Sequence, residues 1–140
     1  RAADYVFPYD VSSVTRTFAT MSFVQDMANV GNYIDLVVRT TQVEHRTTTE
    51  KGEPWASVYG QDMDGTYLGP LRMWRFEEDD ITAGQIYILR GMRVAVETIW
   101  DYEQTKYMPR TDGKRTVECT SRTAVENVTH VNAIQSYFSG

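Results

Sequence analysis

The chain reads as an all-β domain built on a five-stranded barrel, and three observations predict it. First, between residues 33 and 121, runs of alternating apolar and polar residues are separated by turn signals rich in Gly, Pro, Asn and Asp. Second, residues 71–76 alternate strictly: Leu71 and Met73 fall on one face, and Arg72, Trp74 and Phe76 on the other. Third, Gly91 interrupts a strong strand pattern that runs from Ile86 to Leu89 and resumes from Met92 to Val96. A glycine inside a strand marks a bulge or a tight barrel corner.

The elements follow in order. Residues 1–19 show no clean period and predict an N-terminal arm, leaving 20–140 as the domain. Residues 20–28 predict a short helix with Phe23, Met27 and Val24 on its buried face, ended by Asn29, Gly31 and Asn32. The first strand is expected at 33–44, with Ile34, Leu36 and Val38 opposite Asp35, Val37 and Arg39. A polar hairpin loop over 45–54 leads to the second strand at 55–61, which turns at Asp62-Met63-Asp64-Gly65. The third strand is expected at 66–76, bent or held at an edge by Gly69-Pro70.

Residues 77–82 are acidic and predict a short helix between strands three and four. The fourth strand, at 85–102, is unusually long; 106–114 form its loop, and 115–121 the fifth strand. Beyond residue 123, the three-residue spacing of Val125, Val128, Val131 and Ile134 predicts a C-terminal helix against the barrel.

Composition narrows the functions. The net charge of −5 counts against holding nucleic acid by bulk electrostatics, yet leaves room for a local basic groove. Cys119 is the only cysteine, so an intrachain disulfide and a cysteine-based zinc site are excluded. His45 and His130 are far apart in sequence, and the Glu77–Asp80 carboxylates lack the spacing of a calcium loop. No metal or cofactor is therefore expected. No run approaches the roughly 18 apolar residues that cross a bilayer, and no signal peptide opens the chain. The expectation is an intracellular protein, nuclear if eukaryotic, with no membrane association. A start at Arg1 rather than Met suggests a piece of a longer protein. Nothing pairs a nucleophile with a base, so no enzymatic activity is expected.

Five strands, a short helical piece between the third and fourth, and long loops joining one to two and four to five make an OB-fold layout. Phe23-Val24-Gln25-Asp26-Met27, residues 33–38, Asp62-Met63-Asp64-Gly65, Leu71-Arg72-Met73-Trp74 and residues 89–94 come in a familiar order. Together they resemble the single-stranded-DNA-binding OB domains of the replication protein A large subunit and its relatives. The resemblance covers roughly residues 23–128. It implies a groove across strands two to four in which two aromatic residues stack on bases. Trp74 matches the first position. Trp100 is assigned to the second, although it lies further past Arg93 than the family pattern has it.

On this basis the expected partner is single-stranded DNA, with RNA left open, bound with little sequence preference. Trp74 and Trp100 would stack bases with help from Tyr102. Arg39, Arg72, Arg93 and Lys106 would meet phosphate, while Lys51 and Trp55 would belong to a closing loop. Each residue has a plainer alternative. Trp74 would pack beneath the terminal helix, and Trp55 would cap the barrel end. Trp100 and Tyr102 would stabilise a long hairpin or face a protein partner. Arg39 and Arg93 would pair with Asp35 or Glu97. The competing function is an OB-fold assembly module in a multi-subunit nucleic-acid-processing complex, without direct nucleic-acid contact.

Overall fold

Residues 18–47, 52–136 and 138 are described by the computed structural model. The arm expected at 1–19 lies outside the described residues up to residue 17. From residue 18 the chain is packed: Phe18 is buried, and the Ala19 amide donates to the Asp35 carbonyl at 2.8 Å.

The protein is mostly β. After helix α1 (Met21–Asp26) come β1 (Tyr33–Thr47), β2 (Pro54–Gln61), β3 (Tyr67–Trp74) and β4 (Ile86–Val96). They are followed by β5 (Thr98–Asp101), β6 (Lys106–Pro109), β7 (Arg115–Glu118), β8 (Ala124–Asn127) and a last turn of helix, α2 (Asn132–Gln135). Six strands form one antiparallel sheet in the order β3-β2-β1-β4-β7, with β8 also on β4; β5 and β6 pair as a separate sheet. The ladder does not close between β3 and β7, so the five-strand barrel becomes an open path of six strands plus a hairpin.

Two apolar clusters flank the centre of this sheet. Leu36 and Val38 of β1 join Ala56, Val58, Leu71, Met73, Leu89 and Met92 on one side. Val37 joins Ile86, Ile88, Val128, Val131 and Ile134 on the other. The alternation expected for β1 holds, and both of its faces are buried at residues 36–38. Burying each such side chain is worth about 1.5–3 kcal/mol, which is why these positions are apolar without a break.

Gly91 forms the expected corner. The β1–β4 register shifts between Ile34 and Leu36, where β4 carries an extra residue between Leu89 and Met92. Gly91 takes φ 72°, its amide donates to Asp35 Oδ1 at 3.0 Å, and its carbonyl accepts from the Thr120 and Thr123 hydroxyls. On one side of the corner β4 pairs with β8, and on the other with β7. An added Cβ would sit 3.0 Å from the Arg122 carbonyl oxygen. Gly91→Ala is expected to lower stability by about 1–3 kcal/mol, read as the midpoint of urea unfolding. A midpoint unchanged from that of the parent chain would remove the corner from the account.

Several expectations are corrected. In α1 the buried residues are Met21 and Val24, with Ala28 just beyond; Phe23 and Met27 are exposed. The Thr20 hydroxyl caps the helix at the Phe23 amide, and this start sets the face one step from the predicted one. β1 runs on to Thr47, because its polar residues 44–47 pair with β2. Residues 77–80 make a turn rather than a helix: the Asp80 carboxylate accepts the Glu77 amide, and the Asp80 amide donates to the Glu77 carbonyl. Four adjacent carboxylates favour such a side-chain-closed turn over continued helix. Beyond Trp74, Arg75 takes φ 70°, so Phe76 leaves the Arg72–Trp74 face and packs against the core.

The long fourth strand is two strands. It breaks at Glu97, whose amide and carbonyl bond Lys114 and Arg110 rather than β1 or β7. The expected loop at 106–114 begins as β6. The C-terminal helix is replaced by β8, which takes up β4's open edge, and only residues 132–135 are helical. The three-residue spacing there arises from a strand residue, Val125, packed on the first cluster, and from a turn and one helical turn whose Val128, Val131 and Ile134 join the second. β-Branched Val125, Val128 and Val131 suit that extended path better than a helix.

Candidate nucleic-acid interface

The ladder register brings aromatic side chains into one row. Arg46 of β1 lies opposite Trp55 of β2, and Trp55 lies opposite Trp74 of β3. The inner-facing neighbours Ala56 and Met73 are fully buried, so the pleat turns Trp55 and Trp74 to the outer face. Their ring centroids are 5.4 Å apart with a 30° tilt, and the Arg46 guanidinium sits 5.9 Å over Trp55. Trp74 remains 40 % exposed. The two indoles are too close to admit a third ring between them. A base can reach only their outer surfaces, so the pair works as a platform.

Arg72, two residues from Trp74 on the same strand face, lies 4.8 Å over the Tyr107 ring of β6. Tyr107 in turn meets Trp100 edge-on at 5.2 Å, and Tyr102 meets Trp100 at 6.5 Å. The hairpin aromatics therefore support one another, as cross-strand pairs do. They also stay exposed, Tyr102 most of all at 86 %. Arg72 connects them to the tryptophan row.

A groove of about 200 Å³ runs beside this face, lined by Pro70, Arg72 and Trp74 of β3, by Val96, Glu97 and Thr98, and by residues 116–119. A second hollow of about 210 Å³ adjoins it, with Trp74 and Cys119 common to both and Glu53, Arg75, Thr120 and Ser121 completing its wall. Cys119, expected as a small buried hydrophobe, is half-buried, and its thiol donates to the Trp74 carbonyl at 3.9 Å.

Charge in the groove is largely balanced internally. Arg93 of β4 stands opposite Glu118 of β7, and its Nε donates to Glu118 Oε1 at 2.7 Å, with Nη2 on the same oxygen. That hydrogen bond pushes the Arg93 guanidinium above its ordinary value. Glu97 lies 3.6 Å from both Arg110 and Lys114. Arg110 grips Asp112 through two hydrogen bonds, and with the Lys114 amide it draws the Asp112 carboxyl down to about 2. Arg46 pairs with Glu44 at 3.0 Å. Arg72 has no carboxylate partner among the described residues.

The structure thus gathers Trp55, Arg72 and Trp74, links Trp100 and Tyr102 to them through Tyr107, and sets Arg93 at the groove's far wall by its contact with Glu118. It does not gather the rest. Arg39 sits at the opposite end of β2 from Trp55, donating to the Phe138 carbonyl and to Gln61 Oε1, each at 2.7 Å. Lys106 pairs in register with Asp101 towards the hairpin tip. Lys51 lies outside the described residues. Neither Arg39 nor Arg93 takes the Asp35 or Glu97 partner considered for it.

Neither Arg46 nor Tyr107 was among the site residues expected from the sequence. Arg46 was legible in principle, since a short hairpin loop fixes the register that sets 46 opposite 55 once the strand is carried to 47. Among the described residues no cluster of three or more His, Cys, Asp or Glu is arranged to hold a metal, and no helix is long and apolar enough to cross a membrane. No known protein family matches the chain, and no curated protein does.

Proposed function

We propose that the chain binds single-stranded nucleic acid, DNA in preference, on the outer face of β2 and β3 and the adjoining groove. The observation that carries this is the Trp55–Trp74 pair, half-buried at Trp55 and exposed at Trp74, with Arg46 over Trp55 and Arg72 on the strand face of Trp74. Indole faces stack on any base, and guanidinium groups add phosphate contacts and cation–π attraction. Recognition built this way has little sequence preference, because backbone and ring-face contacts read no base edges. Under this reading the groove binds its strand and carries out no chemistry on it.

An OB-fold of the replication protein A type remains our reading of the architecture. Its support is the order β3-β2-β1-β4-β7 together with a groove whose walls are β3 and β7. The Gly91 corner in β4 and the Asp62–Gly65 turn also suit that layout.

The test is fluorescence anisotropy of a labelled oligo-dT of about 30 nucleotides at low and moderate salt. Trp74→Ala is expected to weaken binding about 10- to 100-fold, at 1–3 kcal/mol per stacked base, with an unaltered circular dichroism spectrum. Unchanged affinity in that variant would remove Trp74 from the site.

A second reading, an assembly module for protein partners, is favoured by the carboxylates that already pair the cations around the groove, Arg46, Arg93 and Lys114. Under it the parent chain shows no anisotropy change with oligo-dT even at low salt and tens of micromolar protein.

A further inference from the structure

The proposed site contains its own competitor. Glu118 occupies one wall of the groove that Arg72 and Trp74 line, and its Oε1 accepts from both Nε and Nη2 of Arg93. The pair is built into the ladder, since residues 93 and 118 are direct cross-strand neighbours. It is also open to solvent: the Arg93 and Glu118 side chains are 48 % and 40 % exposed. A carboxylate accepting from a guanidinium presents the same acceptor chemistry as a phosphate oxygen. At the other end of the tryptophan row Arg46 is likewise held by a carboxylate, that of Glu44 two residues away on the same strand.

Resting on the nucleic-acid reading above, we propose that Glu118 is an internal stand-in for phosphate that holds Arg93, so a bound strand must displace it. The strand then gains one arginine contact and loses one internal ion pair. Glu118, no longer paired, lies beside the incoming phosphate and repels it. Affinity is set below what the aromatic platform alone allows, and the site releases its strand readily. Part of the counterion release that normally drives phosphate binding is forfeited, because Arg93 starts out neutralised by the protein itself.

The experiment compares the parent chain with Glu118→Gln and with Glu126→Gln, by oligo-dT anisotropy across a salt series. Glu126 lies on β8, outside the lining of the groove, where its carboxylate meets Arg90, and its substitution changes net charge by the same amount. Glu118→Gln is expected to tighten binding about 5- to 10-fold and to steepen the log–log salt slope by roughly 0.7, the single-strand value for one phosphate. Glu126→Gln is expected to match the parent.

Arg93→Gln supplies an independent arm: it should cost more affinity in the Glu118→Gln background than in the parent. Equal effects of the two Glu→Gln variants would overturn the proposal in favour of a net-charge effect. So would an unchanged Glu118→Gln in a parent chain that binds. If none of the proteins binds, the nucleic-acid reading itself fails. Binding by Glu118→Gln alone would support complete occupation of Arg93.

Discussion

Gly60→Ala is expected to destabilise the protein more than any other single-methyl change considered, by about 3 kcal/mol or more. A Cβ at Gly60 would lie 2.2 Å from the Arg39 carbonyl oxygen, with the Arg39 carbonyl carbon at 3.0 Å and Val38 Cγ1 at 3.1 Å. The nearest atoms are backbone, and that backbone is held from both sides: β1 pairs with β2 along one edge and with β4 along the other. No rotamer change relieves such a contact. The close approach has a cause in the register, which shifts between Thr40 and Gln42 on β1 and between Val58 and Gly60 on β2. The extra residues sit on β1 and on β3, one on each flank of β2, and they bend the sheet at Gly60, where only a residue without a side chain fits. For a chain of this length each kcal/mol moves the melting temperature by about 3–4 °C, so a fall of about 10 °C is the result to look for. A melting curve within 2 °C of the parent would mean that the strands are less closely apposed.

The second large effect is expected at Asp62, a fully buried residue that is fixed from three directions. Its Oδ1 accepts the Asp64 and Thr66 amides, each at 2.9 Å, and closes the β2–β3 turn. Its Oδ2 accepts the Met21 amide at 2.7 Å, one of the first-turn donors of α1 that the helix itself leaves unused. A residue in a turn thus holds the start of a helix distant in sequence. Asp62→Ala strands three donors, and at about 1–3 kcal/mol for each buried one the total loss is expected near 3–5 kcal/mol. Asp62→Asn retains one oxygen for the turn and should cost less than half as much. Urea unfolding of both variants decides the point, and equal losses would mean that the two turn amides contribute nothing and the Met21 contact carries the whole effect.

Legibility followed periodicity. Strands β2 and β3, the Asp62–Gly65 turn and the Gly91 corner were visible because short-range pattern determines them. α1 was found but turned, since its six residues carry too little period to outweigh a capping hydroxyl. The run from Gln85 to Tyr102 stays strand-like throughout, and nothing local marks Glu97 as a break; its partners, Arg110 and Lys114, arrive only when the chain returns. β8 was hidden because Val125, Val128, Val131 and Ile134 are all apolar at a helical spacing, yet they reach two different clusters from a strand, a turn and a helical turn. In the candidate site, Trp74 and Arg72 could be read from one strand. The Trp55 contact, Arg46 and the Arg72–Tyr107 stack depend on register and on how the hairpin folds back, and Arg39 was drawn in by alternation alone.

The partner exchange along β4 also bears on how the chain is made. β4 meets β1 on one edge, yet its other edge is filled by two separate segments, β7 and β8, both of which follow it in the chain. On a ribosome, β1 to β3 can pair as hairpins as they emerge, and β4 can join β1. Its outer edge then stands as a row of unpaired amides and carbonyls until β7 and β8 have emerged. Such a half-covered strand invites pairing with neighbouring nascent chains. The hydrogen bonds from Thr120 and Thr123 to Gly91 lie where the two covering segments meet, so the seam is sealed only once both segments have followed β4.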